Sequence, residues 1–284
     1  MTSGALYRVG PLVAASALLA LVAACGRYQI QEEREPWRAQ AELQCIRSGV
    51  VKASWAIERS SAMQGPGTCG MDQPLRVSAL SAGTVGMTQR ATLGCPMVHA
   101  ADLWLADIVQ PAAQALFGQA VVEARMGSYS CRPRNNQRGA KLSEHSFGNA
   151  LDVFAFRLND GREITVKGGW RGAPEEQEFL REVFVGSCRH FATVLGPGAD
   201  AFHYDHFHLD LARHGARGDR TVCKPVIKFT PRSGGGVEVA AARSPVASAA
   251  RARQSPIDGA TGDGVEPESD ADIDPNKDPY GPDQ

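Results

Sequence analysis

The chain has 284 residues, 43% of them apolar, 21% charged and 7% aromatic, and a formal net charge of −1. That length holds one or two domains with a real core, and it excludes a wholly disordered chain, a collagen-like rod or a coiled coil. The near balance of charge gives no electrostatic reason for a nucleic-acid partner, although residues 231–284 carry a net −5 and leave +4 on the rest.

In chain order, a leader comes first. Arg8 precedes an apolar run from Leu12 to Ala24. As a helix rising about 1.5 Å per residue, that run is too short for a hydrocarbon core of about 30 Å, and it has the length of a signal-peptide apolar region. Its end, Val22-Ala23-Ala24-Cys25, resembles the lipobox of bacterial lipoproteins, in which the cysteine takes a diacylglycerol and becomes the first mature residue. The expectation is a lipoprotein signal peptide over 1–24 and a lipid anchor on Cys25. Gly26 follows where an inner-membrane retention signal would have Asp, so the expected place is the outer membrane of a bacterial cell envelope, facing the periplasm.

Residues 25–40 are polar and read as a spacer leading into a helix near Trp37–Ser48. Val50–Ala56 and Leu75–Ala79 read as short strands. Met97–Phe117 is apolar at helical spacing, with a bend expected at Pro111. Ala120–Tyr129 and Leu151–Leu158 read as strands, the latter turning at Asn159-Asp160-Gly161 into Glu163–Lys167. Pro174 opens a helix with acids in its first turn, expected to run to about Thr193. His206–Leu211 alternates as a strand. The expected fold is a single α+β domain over 41–230: helices first, then a small mixed or antiparallel sheet with one more helix. Residues 231–284 contain few large apolar side chains and no period, and are expected to be a disordered acidic tail.

Beyond Cys25 the chain has Cys45, Cys69, Cys95, Cys131, Cys188 and Cys223. An even set in an exported chain predicts disulfides, with the pairing left open. A zinc site made of these cysteines is disfavoured, because no Cys-x-x-Cys or Cys-x-x-His spacing occurs.

Two segments concentrate chemistry: Ser143-Glu144-His145-Ser146-Phe147-Gly148-Asn149-Ala150-Leu151-Asp152 and His203-Tyr204-Asp205-His206-Phe207-His208-Leu209-Asp210. On a strand, His206, His208 and Asp210 share one face while Phe207 and Leu209 can enter the core from the other. Two imidazoles side by side can both meet one metal, or one can bind it while the other works beside it. His145 and Asp152, seven apart across a Gly-containing turn, suit a loop and strand converging on the same point. Histidines with one carboxylate make a site suited to Zn2+ with a fourth position open.

These segments resemble the LAS metallopeptidases, the group uniting lysostaphin, D-alanyl-D-alanine peptidases and the hedgehog signalling domain. Ser143, His145, Gly148, Ala150 and Asp152 match the pattern of the vancomycin-resistance type of D,D-carboxypeptidase, and Asp205 to His208 match the ending of the penicillin-insensitive murein endopeptidase. With Ser128-Tyr129, Cys131-Arg132, Trp170 and Val194-Leu195-Gly196-Pro197, residues 41–225 also look like the bacterial extensin-like C-terminal family.

The resemblance implies zinc ligands His145, Asp152 and His208, an active-site base at either His206 or Asp205, and a substrate-binding role for Arg132. Asp210 and Glu144 either hold an imidazole from behind or are plain surface carboxylates. His203 is expected in the pocket, whereas His99, His190 and His214 are expected to be structural or solvated. The implied function is a zinc peptidase cutting peptidoglycan stem peptides or cross-links. Its rival is a non-catalytic, zinc-stabilised cell-wall-binding module.

Overall fold

A computed structural model describes residues 34–232. The expected signal peptide, the lipid-anchor Cys25 and nearly all of the expected tail lie outside the described residues. The domain is α+β, as expected, and is built on one nine-stranded, mostly antiparallel sheet.

Helix α1 (Pro36–Ser48) starts with proline at its first position and stops at Gly49, whose φ of 69° lets its N–H close onto the Ile46 carbonyl. Five strands follow before the next helix: β1 (Ile57–Arg59), β2 (Met63–Gln64), β3 (Gly70–Met71), β4 (Pro74–Leu80) and β5 (Val85–Gly94). The expected order of helices first is therefore corrected. So is the strand expected over Val50–Ala56, which is loop, with β1 beginning one residue later. The long β5 carries no alternation through its exposed centre Gln89-Arg90, which hid it from sequence reading.

Helix α2 (Cys95–Trp104) continues through a π-helical segment, Leu105–Val109, into α3 (Gln110–Phe117). In place of the bend expected at Pro111, the helix has a π-helical segment that ends two residues before that proline, whose missing N–H removes a helical bond there. Next come β6 (Val121–Gly127), β7 (Ala150–Leu158) and β8 (Glu163–Thr165). β8 is cut short because the Thr165 hydroxyl accepts from the Gly168 N–H at 3.0 Å and opens the single turn α4 (Val166–Gly169). Helix α5 (Pro174–Ser187) ends six residues before the expected Thr193, which instead starts β9 (Thr193–Leu195). β10 (Phe207–Asp210) and β11 (Val222–Lys224) complete the sheet in the order β1-β4-β5-β6-β7-β10-β9-β11, with β8 also on β7.

The core lies between this sheet and the helices. Trp104 packs on Phe156 and Phe191, Phe179 on Phe117 and Phe156, and Phe184 on Trp170 and Phe207. Among the described residues no helix is long and apolar enough to cross a membrane. The six cysteines form three disulfides: Cys45–Cys95, Cys69–Cys131 and Cys188–Cys223.

Candidate metal centre

β7 and β10 are antiparallel neighbours in the middle of the sheet, and their register sets Asp152 directly opposite His208. Side chains so paired stand on one face, about 5 Å apart at Cβ. Along β7 the parity changes once: Val153 pairs with Met126 and Ala155 with Arg125, so Phe154 is an extra residue. This bulge lets Leu151 and Val153 on one side of it, and Phe156 and Leu158 on the other, all reach the core. Phe154 itself lies against the His206 ring, centroids 5.1 Å apart.

His145 comes from a 3-10 turn, Glu144–Phe147, that precedes β7. Ser143 opens that turn with its hydroxyl, and Gly148 closes it at φ 60°. A Cβ on Gly148 would lie 2.0 Å from Met71 Sδ, so both its conformation and its packing demand glycine there.

His145 Nε2, Asp152 Oδ1 and His208 Nδ1 form a triangle with sides of 3.1, 2.9 and 3.2 Å. The far nitrogens of both rings are engaged. His145 Nδ1 donates to the Ser128 carbonyl at 2.7 Å, and His208 Nε2 to Asp210 Oδ2 at 3.0 Å. Neither partner can donate, so in the neutral rings the two inward nitrogens present lone pairs towards a carboxylate. Three buried acceptors this close need a cation or a proton between them. Ligand atoms around tetrahedral zinc, bonded at about 2.0–2.1 Å, stand about 3.3 Å apart, so the triangle fits Zn2+. The backing by a carbonyl and a carboxylate is the arrangement that fixes tautomers in metal sites.

With protons as the only cations, burial opposes charge on both partners but pairing prevails. His145 and His208 hold Asp152 well below the usual carboxylate range, and Asp152 and Asp210 push His208 up to about 10. His208 and Thr193 likewise outweigh burial and lower Asp210.

His206 stands beside the triangle, with Nε2 3.5 Å from Asp152 Oδ1 and Nδ1 2.9 Å from Asp205 Oδ1. The two residues considered for one role are thus joined as a pair, the imidazole towards the site and the carboxylate behind it. Arg132 reaches Asp152 Oδ2 at 3.7 Å. His203 is buried in the same cleft, of about 330 Å³, with Nδ1 2.7 Å from Asp200 Oδ1.

Glu144 holds no imidazole. It is buried against Arg38, which donates to it at 2.6 and 2.9 Å, and it accepts from Asn149 Nδ2 at 2.6 Å. His99 is half-buried on α2, and His190 is buried with Nε2 3.6 Å from Asp107. His214 lines the cleft and meets the Thr193 hydroxyl at 2.7 Å, nearer the site than its sequence context suggests. Sequence reading missed two supports. The Ser128 carbonyl is backbone and leaves no signal. Asp200 does leave one, since an acid three residues before His203 can bond the backbone ahead of it, as Oδ1 does with the Phe202 and His203 N–H groups at 2.8 and 3.1 Å.

The family model for the extensin-like protein C-terminus matches residues 43–224. The chain belongs to that family. Comparison with curated proteins and with solved structures gave no significant match. The extensin-like match spans every element from within α1 to β11, and with them all the residues of the triangle and its supports.

Proposed function

We propose that this extensin-like domain is a zinc-dependent peptidase of the bacterial cell envelope, hydrolysing peptide bonds in peptidoglycan stem peptides or cross-links. The observation that carries the reading is the buried acceptor triangle with an imidazole–carboxylate pair beside it, opening on a cleft. The resemblance of the Ser143–Asp152 and Asp205–His208 segments to LAS peptidases supports it further. His145, Asp152 and His208 would hold the ion. Bound zinc supplies a Lewis acid that polarises a carbonyl and brings the pKa of water to about 7.

The remaining work falls to the chain's own side chains. His206 accepts a proton at Nε2 and returns it to the leaving amine, while Asp205 at Nδ1 fixes the ring and stabilises its charged form. On this reading the base is His206, and Asp205 positions it. Arg132 holds a substrate carbonyl or carboxylate at the mouth of the cluster. A lipid anchor at Cys25 would keep the domain beside its substrate, in the outer membrane facing the periplasm.

The test is digestion of purified sacculi with and without a chelator, with mass spectrometry of the released muropeptides. Release that the chelator abolishes and zinc restores is the expected result. A zinc-replete protein that releases nothing and is retained on sacculi would overturn the peptidase and make the domain a binding module.

A further inference from the structure

An arm of chain between Arg132 and Ser143 joins the end of β6 to the His145 turn and lines part of the cleft with Arg134, Asn135 and Asn136. Its base is firmly fixed. The Arg134 N–H donates to the Lys141 carbonyl at 2.9 Å and the Ser143 N–H to the Arg132 carbonyl at 3.0 Å, while Cys131, one residue before the arm, is bonded to Cys69. At its tip Asn135 and Asn136 both take left-handed backbone, φ 54° and 55°. Asparagine tolerates that region better than most residues, but two in succession store strain, and such strain gathers at ligand-binding positions.

The arm carries four cations, Arg132, Arg134, Arg138 and Lys141, and no acid. Arg132 leans on the metal-centre carboxylate. Arg134 is exposed, faces the cleft and forms no ion pair among the described residues, although its charge helps lower Glu35 nearby.

We propose that Arg134 anchors a subsite for a substrate carboxylate remote from the bond that is cut, so that the cleft selects acidic peptides over their amidated forms. This rests on the peptidase reading for the identity of the peptide. A guanidinium offers a planar fork that meets both oxygens of a carboxylate, whereas a carboxamide presents one acceptor and no charge. Peptidoglycan stem peptides carry such a group, the free carboxylate of their D-glutamate.

The full chain with His206→Ala, used so that binding is read without turnover, is titrated calorimetrically with L-Ala-γ-D-Glu-L-Lys-D-Ala-D-Ala. A second titration uses the same peptide amidated at the D-Glu carboxyl. The acidic peptide is expected to bind about tenfold more tightly. Adding Arg134→Ala should bring both peptides to the weaker affinity, and Arg134→Lys should restore part of the difference. Equal affinities without the Arg134 change, a preference that survives it, or binding of neither peptide overturns the subsite. Sacculus digestion by the unmutated chain is scored separately. Discrimination without digestion overturns the peptidase and leaves the subsite, and digestion without discrimination does the reverse.

Discussion

At the scale of single residues, the proposed metal chemistry turns on which nitrogen of each imidazole faces inward. His145 presents Nε2 because Ser128 holds its Nδ1, and His208 presents Nδ1 because Asp210 holds its Nε2. Replacing His145, Asp152 or His208 by Ala should remove most bound zinc by elemental analysis. His206→Ala should keep the metal yet lose hydrolysis on the order of 10²–10⁴-fold. Asp210→Ala leaves the triangle but frees the His208 ring, and metal affinity should fall by about 10–100-fold.

The protonation of the cluster gives a pH prediction of definite sign. Without metal, Asp152 contributes stability above its ordinary value of 3.8 and loses it as pH falls further. His208 contributes fully below its ordinary 6.5 and loses that contribution as pH rises towards about 10. The thermal midpoint of the metal-free domain should therefore decline between pH 7 and 10, and zinc uptake at pH 7 should release a proton, detectable by calorimetry in buffers of different ionisation enthalpy. The three residues of the triangle could be singled out in sequence, His208 by strand alternation and the set by the resemblance of its two segments to LAS peptidases. The tautomers could not, since one is set by a backbone carbonyl.

At the scale of elements, α1 illustrates how a polar helix can be structural. Its buried side chains are Arg38 and Glu42, charged residues that sequence reading cannot assign to a core. Arg38 bonds Glu144, the neighbour of His145, with both side chains about 6% exposed, and Glu42 accepts from the Asp72 and Gln73 N–H groups at 2.9 and 2.6 Å. Arg38 also stacks on Phe147 at 3.9 Å. Breaking one side of a buried ion pair strands the other, so Arg38→Ala should cost about 3–5 kcal/mol. Replacing the pair together with apolar residues should cost much less, as read by denaturant unfolding. The strands β4, β6, β7 and β10 were visible from alternation and apolar runs. β9 and β11 were not, because three residues carry no period and their place depends on partners distant in sequence.

At the scale of the whole molecule, the disulfides tie segments that the sheet alone would leave loose. Cys45–Cys95 joins α1 to α2, Cys69–Cys131 ties the β2–β3 hairpin region to the root of the arm, and Cys188–Cys223 joins the end of α5 to β11. An even cysteine count foretold the chemistry but not which of the pairings forms, since pairing is a property of the finished fold. Thiol alkylation under denaturing, non-reducing conditions should leave all six unlabelled. Replacing Cys69 and Cys131 together should cost about 2–5 kcal/mol, measured by denaturant unfolding.

The opposition of Asp152 and His208 across β7 and β10 also bears on how the protein matures. The two lie 56 residues apart in sequence, so the triangle does not exist until β10 has been laid against β7. A chain halted before that step would offer the proposed ion only a histidine and a carboxylate. On the zinc reading, metal capture would mark the finished molecule, and zinc supplied late would load only the copies whose central strands are already in place.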